Sequence, residues 1–258
     1  MAPETAPPAP QIAVFGRIPR PGAGKTRLAR GVGVERAAAL SRAFLGDTIR
    51  RMRLAAPGGT WFHVAPEPDL GPAETLALAE EMFPDGVRIA LQEGDHLGAR
   101  MNHALAALTT LGPSVLVGAD VPDLPLSFVA RGIEWLAGAR DGGDGAAAPR
   151  LVLGPAADGG FVLIGADRAP GAMLRDEDSW GTAEVCARTR RRAREERPPW
   201  RVLELDPWWD VDEAEDLDAL AARLLATQAR GEAHGEDWPQ QTAAMLGAAR
   251  RRGARRRP

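Results

Sequence analysis

The sequence predicts an α/β protein built around one doubly wound, mostly parallel β-sheet. Short apolar stretches of strand length alternate with longer segments whose apolar residues recur at helical spacing. Alternation of this kind is typical of parallel strands joined by right-handed helical crossovers. The 258 residues suffice for one large domain of this class, and the 45% of hydrophobic residues can fill its core.

Seven segments have the length and composition of buried strands. They are residues 11–15, 60–65, 87–92, 114–119, 151–154, 161–165 and 202–205. Helical patterns lie between most of these strands, at residues 72–82, 97–110, 126–138, 182–196 and 213–229. Apolar residues at helical spacing between Ala37 and Met52 predict a further helix.

The two ends of the chain differ in composition from the part between them. Residues 1–10 are rich in Pro and Ala, which predicts a disordered tail before a domain over residues 11–230. Residues 231–258 are polar and end in two runs of arginine. We expect this segment to be a solvated tail, because it lacks the apolar periodicity needed to dock on a sheet.

Composition excludes several classes of partner. A net charge of -3 gives no general attraction to nucleic acid. No apolar stretch approaches the roughly 18 residues of a membrane span, and the first residues do not resemble a signal peptide. Cys186 is the only cysteine, which excludes a disulfide framework and a cysteine-built zinc site. We therefore expect a cytoplasmic monomer or homodimer without nucleic-acid or membrane partners.

The predicted strand at 114–119 is followed at once by Asp120 and then by Pro122, which ends strand pairing. Ligands of open α/β sheets bind outside the carboxyl ends of the strands, where Asp120 would lie. A carboxylate in that place can hold a hard divalent cation such as Mg²⁺ or Mn²⁺ together with phosphate oxygens. The alternative interpretation is that Asp120 caps the following helix.

Lys25 is the only lysine among 32 basic residues, and the other 31 are arginines. A lysine retained in such an arginine-rich chain indicates a position that needs a compact ammonium group, with chance survival as the alternative. It follows the first strand in a loop that also contains Arg17 and Arg27, which suits a phosphate ligand. Residues 24–26 resemble the end of a P-loop, but Pro19 replaces its first glycine and excludes that motif.

Two further loops follow predicted strands. Gln92 carries amide donors and a carbonyl suited to the edge of a base, and Gly98 would let the backbone approach a planar ligand. An ordinary strand-to-helix turn explains this pair equally well. Asp158, Gly159 and Gly160 lie between two apolar runs, where the glycines allow close approach of a substrate. A plain hairpin turn is the alternative there.

The last long helix is preceded by Asp212. Together with Glu215 it has the form of a capping box, which favours a structural N-cap. A carboxylate at a helix start beside a second carboxylate can also ligate a cation. Both interpretations remain open from the residues alone.

The motifs occur in an order that resembles one protein family. They are Lys-Thr-Arg-Leu after the first strand, Gln…Leu-Gly-x-Arg-Met, Gly-x-Asp-x-Pro-Asp-Leu, Gly-Pro-x-x-Asp-Gly-Gly-Phe, Trp-x-Thr-x-x-Val and Asp-Val-Asp-x-x-Glu-Asp-Leu, spread over residues 12–225. This order is similar to that of the GT-A-like transferases associated with radical-SAM/selenodomain proteins, the arsenosugar-type glycosyltransferases. Those proteins are related in fold to 2-phospholactate guanylyltransferase and molybdenum-cofactor guanylyltransferase.

The resemblance implies a Rossmann-like GT-A fold, which is the fold of nucleotide-diphospho-sugar transferases, and a role for each motif. Residues implied to bind the nucleotide are Arg17, Lys25 and Arg27 at the phosphates and Gln92 and Gly98 at the base. Residues implied to hold Mg²⁺ or Mn²⁺ are Asp120 and Asp212. Residues implied to line the acceptor side are Asp158, Gly159, Gly160, Trp180 and Thr182.

The resemblance also implies a reaction, the metal-dependent transfer of a sugar from a nucleotide-sugar to a small acceptor. Lys25 and Asp120 would act at the reacting groups, and Asp158 would be the base if the configuration inverts. The alternative is nucleotidyl transfer, in which a phosphorylated acceptor attacks the α-phosphate of a nucleoside triphosphate and releases pyrophosphate. Lys25 and Arg17 would then neutralise the charge on phosphorus. A nucleotide-binding protein without catalysis is a third possibility.

Overall fold

The structure is a computed structural model that describes residues 8–83, 86–138, 148–174, 182–232 and 235–247. Within these residues, seven strands form one sheet at the centre of the molecule. The strands are β1 (Gln11–Gly16), β2 (Thr60–Val64), β3 (Arg88–Leu91), β4 (Ser114–Gly118), β5 (Arg150–Pro155), β6 (Phe161–Ala166) and β7 (Arg201–Glu204). Every predicted strand is therefore present, to within a few residues at its ends.

The strands are ordered β3-β2-β1-β4-β6-β5-β7 across the sheet. All neighbouring pairs are parallel except those that include β6, which runs antiparallel to both β4 and β5. The reason is the short turn over 156–160 that joins β5 to β6, because a parallel return needs a crossover of a dozen or more residues. The predicted doubly wound, mostly parallel sheet is confirmed.

The described residues contain eight α-helices around this sheet. They are α1 (Thr26–Val32), α2 (Val34–Ala55), α3 (Pro72–Met82), α4 (Leu97–Leu108), α5 (Leu126–Ala137), α6 (Val185–Glu195), α7 (Ala214–Ala229) and α8 (Gln240–Met245). A short 3₁₀-helix covers Gly171–Leu174. None of the helices in the described part of the chain is long and apolar enough to cross a membrane.

The sheet is buried on both faces, as the continuous apolar strands predicted. Along β4, Val115 and Val117 belong to a core shared with α2 and α5, whereas Leu116 belongs to the opposite core with α4. Successive side chains of a strand point to opposite faces, so one strand supplies both layers. The carboxyl ends of β1 and β4 are neighbours in register, which places the loops after them side by side.

The expectation that residues 231–258 do not dock is wrong for the part around α8, which packs on α2. Asp47 of α2 is fully buried, and its carboxylate accepts hydrogen bonds from the backbone N–H groups of Gln241 and Thr242 at 3.3 and 2.7 Å. Arg50 donates to the carbonyl groups of Glu236 and Trp238. Polar contacts with α2 and the packing of Ala243, Trp238 and Leu246 against apolar residues of that helix thus hold this segment.

The outermost residues of both predicted tails, 1–7 and 248–258, lie outside the described residues. The disorder predicted for residues 1–10 and the solvated character predicted for the arginine runs therefore stay predictions.

Candidate functional site

The loop between β1 and α1 takes an unusual path that ends at Lys25. Gly22 and Gly24 have φ of 79° and 68°, and Lys25 itself has φ 40° and ψ 41°. It is the only residue other than glycine with a positive φ in the described part of the chain. A left-handed conformation costs an L-residue about 1–2 kcal/mol, and such strain is concentrated at functional sites. α1 begins at the next residue.

This backbone conformation accompanies contacts of the Lys25 ammonium group with two carboxylates. Nζ donates to Oδ2 of Asp120 and to Oδ1 of Asp212, each at 2.5 Å, with 19% of the lysine side chain exposed. Burial alone would lower the pKa of Lys25, but the two carboxylates outweigh it and hold that pKa well above its usual value. Lys25 is therefore a fixed positive charge at the carboxyl end of the sheet.

Asp120 is positioned by its neighbours in β4 and by an extended segment before α7. A Cβ atom on Gly118 would lie 2.7 Å from the Asp120 carboxylate, so any other residue there would require the carboxylate to shift. The backbone N–H of Val211 donates to the carbonyl of Asp120 at 3.1 Å. Val211 is buried, and the residues on either side of it, Asp210 and Asp212, meet Asp120.

Three aspartates form a cluster that could hold a metal ion. Carboxylate oxygens of Asp120, Asp210 and Asp212 lie within 4.8 Å of one another. Burial, followed by the negative charges of Asp120 and Asp212, raises the pKa of Asp210 to about 6. The cluster thus contains three carboxylates and one ammonium group, so its charge is not balanced. The ammonium group lies between two of the carboxylates, where a metal cation could also bind. Oxygen donors of this type suit Mg²⁺ or Mn²⁺.

The capping interpretation of Asp212 is wrong. The N-cap of α7 is Glu213, which forms a reciprocal capping box with Asp216. Asp216 also accepts the backbone N–H of Asp212 at 2.9 Å, which fixes the backbone at that residue. Because Glu213 and Asp216 cap the helix, the Asp212 side chain is available to Lys25 and to a metal ion.

A cavity of about 340 Å³ opens beside the three charged residues. Arg17 and Arg27 line it together with Lys25, Asp120 and Asp212, so the structure brings together five of the predicted site residues. The Arg17 guanidinium lies 3.6 Å from Glu67, and the Arg27 guanidinium lies 3.9 Å from Asp212. Both arginine side chains are about half exposed and can reach a ligand in the cavity.

The residues predicted to contact a base are not in the lining of this cavity, although the amide nitrogen of Gln92 lies 3.5 Å from the carbonyl of Gly16, which is in it. Gln92 is buried beside β2, and its amide nitrogen donates to the carbonyl of His63 at 2.7 Å. Gly98 is buried in the first turn of α4. Neither residue lines the cavity beside Lys25. Their contact with a base stays a prediction, and the observed hydrogen bond gives Gln92 a structural role at the strand ends.

The predicted acceptor residues lie at the turn between β5 and β6. Asp158 is exposed, and its carboxylate accepts the backbone N–H of Gly160 at 2.9 Å, as expected for a plain hairpin turn. Gly159 has φ of 89°, and a Cβ atom there would lie 2.1 Å from the carbonyl of Ala183. The turn is therefore built to pack on the start of α6. A catalytic role for Asp158 stays a prediction.

The other two predicted acceptor residues precede α6. Thr182 is exposed, and Trp180 lies outside the described residues. Their roles toward an acceptor also stay predictions.

Asp210 is the member of the aspartate cluster that sequence reasoning missed. The signal was present in the Asp-Val-Asp motif, because alternate residues of an extended segment point the same way. With Val211 buried, the two flanking carboxylates must both turn toward the site. Sequence reasoning singled out Asp212 alone because the helix start suggested a cap.

Comparisons with known proteins agree with this fold. Residues 55–182 match the family described as "Uncharacterized protein conserved in bacteria (DUF2064)". The chain is similar to the crystal structure of a protein from Desulfovibrio desulfuricans G20 provisionally named a nucleotide-diphospho-sugar transferase. That match has 28% identity and a TM-score of 0.72, and covers 93% of this chain and 97% of the other. No curated protein matches the sequence significantly.

Two more distant solved structures were also found. A cytidylyltransferase from Leptospira borgpetersenii serovar Hardjo-bovis (strain JB197) has a TM-score of 0.46 at 12% identity, covering 93% of both chains. CMP:2-keto-3-deoxy-manno-octonic acid synthetase complexed with CTP has a TM-score of 0.45 at 14% identity, covering 86% of this chain and 99% of the other.

Proposed function

We propose that this protein is a metal-dependent transferase that uses a nucleotide-activated donor, and that it transfers a sugar to a small acceptor. The observation that carries the proposal is the Lys25 ammonium between Asp120 and Asp212 at the carboxyl end of the sheet. A cavity lined by Arg17 and Arg27 lies beside it. This combination of fixed cations and clustered carboxylates suits a diphosphate together with a divalent cation.

Each charged group has a distinct part in donor binding. Asp120, Asp210 and Asp212 would hold Mg²⁺ or Mn²⁺, which when bound supplies positive charge that stabilises a departing diphosphate. Arg17 and Arg27, with side chains about half exposed, can fold onto phosphate oxygens. Lys25 is held in place by its carboxylate contacts, so it needs little reorganisation to meet developing negative charge.

In the sugar transfer, an acceptor oxygen forms a bond to the anomeric carbon of the donor. The bond from that carbon to the diphosphate oxygen breaks, and a nucleoside diphosphate leaves while the acceptor loses its proton to a base. Two things support this reaction: the similarity to the Desulfovibrio desulfuricans protein and the resemblance of the motifs to arsenosugar-type glycosyltransferases. Asp158 is the sequence-based candidate for the base.

A specific observation favours nucleotidyl transfer as a second candidate. Lys25 contacts both principal carboxylates of the cluster, so its charge lies where the α-phosphate of a nucleoside triphosphate would meet a bound cation. A phosphate oxygen of the acceptor would attack the α-phosphorus, the bond to the bridging oxygen would break, and pyrophosphate would leave. An ionised phosphate attacks without a protein base, so the exposed Asp158 turn would need no catalytic role.

One assay separates the two reactions. The protein is incubated with Mg²⁺ or Mn²⁺ and either nucleotide-sugars or nucleoside triphosphates, each with phosphorylated and unphosphorylated small acceptors. Release of nucleoside diphosphate that requires an acceptor and metal supports sugar transfer, and release of pyrophosphate supports nucleotidyl transfer. Asp206→Asn is the control, because this carboxylate at the end of β7 is 91% exposed and outside the site. Absence of nucleotide binding with either metal would overturn both.

A further inference from the structure

A second cavity, of about 580 Å³, is lined in part by Asp123 and Pro125 of the loop that follows Asp120. Its walls are the start of α5, one face of α7 and the docked C-terminal segment around Trp238. It shares no lining residue with the cavity beside Lys25. The proposed transferase function therefore leaves this space without a role.

Arg51 of α2 lines this second cavity and is 5% exposed. Its Nη1 donates to the carbonyl of Pro122 at 2.6 Å, while its Nε is buried without a hydrogen-bond partner. Among the described residues, no carboxylate lies within 4.0 Å of its guanidinium, the distance that defines an ion pair. Buried charges are normally paired, so a buried guanidinium that faces a cavity indicates a site for an anion.

The other arginines of the cavity are already paired. Arg223 donates to Asp123 at 2.7 Å, and Arg230 donates to Glu232 at 2.9 Å. The remaining acidic residue of the cavity, Asp237, is exposed. Burial lowers the pKa of Arg51 more than the charges of Asp123 and Asp237 raise it, so these carboxylates do not compensate fully for its burial.

The start of α5 adds a second positive feature to the same space. Leu126 and Ser127, the first two residues of this twelve-residue helix, line the cavity. Their backbone N–H groups have no hydrogen-bond partner among the described residues, because Pro125 at the N-cap has no side-chain acceptor. Free N–H groups and the positive end of the helix dipole favour an anion at that position.

We propose that this second cavity binds a small organic molecule through an anionic oxygen group, either a phosphate or a carboxylate. The anionic group would lie between Arg51 and the start of α5. The space is larger than such a group alone, and the indole rings of Trp208 and Trp238 provide apolar walls for the rest of the molecule. The inference does not depend on the transferase function.

The test is isothermal titration calorimetry of the full chain with three probes that share one ring: phenyl phosphate, benzoate and benzyl alcohol. We expect binding of at least one of the two anions and none of the neutral alcohol. The two anions distinguish a phosphate site from a carboxylate site. Lys25→Ala should leave this binding unchanged, which separates it from any phosphate bound in the other cavity.

Two variants then address the second cavity itself. Arg51→Met should weaken anion binding at least about tenfold, since a charge-assisted hydrogen bond is lost. Ala226→Trp leaves every charge in place and fills the cavity from the exposed face of α7, so it tests the site even if Arg51→Met does not fold. Ala222→Trp, one turn earlier and outside the lining, is the matched control.

The proposal is overturned if wild-type protein binds neither anion. It is also overturned if both bind equally well to Ala226→Trp, or if Lys25→Ala abolishes binding, which would place the anion in the first cavity.

Discussion

The carboxylate of Asp47 and those of the cluster formed by Asp120, Asp210 and Asp212 lie in contrasting environments. Asp47 is buried, and the three cluster residues are partly exposed. Asp47 is fully buried, and two backbone N–H groups of α8 complete its hydrogen bonds. Asp120 and Asp212 are 27% and 39% exposed, and they share a single ammonium group beside a third carboxylate. The first arrangement joins two parts of the fold, whereas the second leaves negative charge uncompensated.

The difference shows how a site can be recognised. The Asp47 carboxylate is closed to a ligand because it is fully buried against the main-chain groups that donate to it. Like charges about 4 Å apart repel by roughly 4 kcal/mol at an effective dielectric constant near 20. The single Lys25 ammonium offsets only part of the charge of three carboxylates, so a further cation would stabilise the cluster. Such a cluster beside a strained Lys25 is therefore a candidate site for a cation.

The largest expected effect is in the cluster itself. We expect Asp120→Asn and Asp212→Asn each to lower turnover roughly 100- to 1,000-fold, because the amide removes a charge that holds the cation. The free energy of unfolding should stay within about 1 kcal/mol of the wild-type value, since each change also relieves repulsion. Turnover and urea unfolding measured on the same preparations check both expectations, with Asp206→Asn as the control.

Two other results would contradict the functional interpretation of the aspartate cluster. If Asp212→Asn kept full turnover and metal affinity, Asp120 and Asp210 would be the protein ligands and Asp212 would serve only to hold Lys25. If unfolding became easier by several kcal/mol, the cluster would be structural in the same sense as Asp47.

Lys25→Ala should have the next largest effect. We expect nucleotide affinity to fall roughly 10- to 100-fold for a triphosphate and much less for a monophosphate, because the ammonium is expected to meet the outer phosphates. The measurement is calorimetric titration with nucleoside mono-, di- and triphosphates. Lys25→Gly is the matched variant, since glycine adopts the left-handed conformation without strain. An equal loss for all three nucleotides would indicate a structural role instead.

The sequence was sufficient to predict much of the fold and the principal members of the site. Every strand and the position of Asp120 at a strand end followed from local patterns, because strand ends and buried apolar runs are encoded by neighbouring residues. Lys25 was singled out as the only lysine of the chain, and a metal-binding role for Asp212 was implied by the family resemblance. The antiparallel direction of β6 was not specified, although the short turn at 156–160 could have indicated it. The alternative interpretation of Asp212 as a helix cap was wrong by one position, since Glu213 is the N-cap.

α8 could not be predicted because the contacts that hold it are distant in sequence. Asp47 looks like any polar residue on a helix, and only the folded chain shows that it receives the start of α8 nearly 200 residues later. The sequence also does not show that the side-chain amide of Gln92 donates a hydrogen bond to a carbonyl of the neighbouring strand. Local sequence patterns do not specify which polar groups form hydrogen bonds with each other in the folded chain.

Asp47→Ala should therefore reduce stability and leave turnover per folded molecule unchanged. A loss of about 2–3 kcal/mol in the free energy of unfolding is expected, because two N–H groups lose a buried charged acceptor. Chemical unfolding monitored by circular dichroism measures it. Asp218→Ala, an exposed carboxylate on α7, is the control and should change stability by less than about 0.5 kcal/mol. Unchanged stability in Asp47→Ala would mean that the docking of α8 contributes little.

His63 extends the comparison to a buried titratable group that is not a carboxylate. It is 6% exposed, neither ring nitrogen has a hydrogen-bond partner among the described residues, and the ring stacks on Phe15 at 5.4 Å. Burial, with a smaller contribution from His103, lowers its pKa to about 4 from an ordinary value of 6.5. The folded protein therefore keeps this histidine neutral at a pH where the unfolded chain has already protonated it.

The consequence is a loss of stability on acidification. Above pH 6.5 neither state binds the proton, and between pH 6.5 and about 4 only the unfolded state does, so the free energy of unfolding falls as the pH falls. At pH 5 the part due to His63 should reach about 2 kcal/mol. The drop between pH 7.5 and pH 5 should be smaller by that amount in His63→Phe, which keeps the stacking. It should be only slightly smaller in the exposed-residue variant His103→Gln, which removes the lesser of the two causes of the shift and leaves the burial of His63 in place. Equal drops in wild type and His63→Phe would show that the folded state protonates His63, and hence that this buried group has a partner after all.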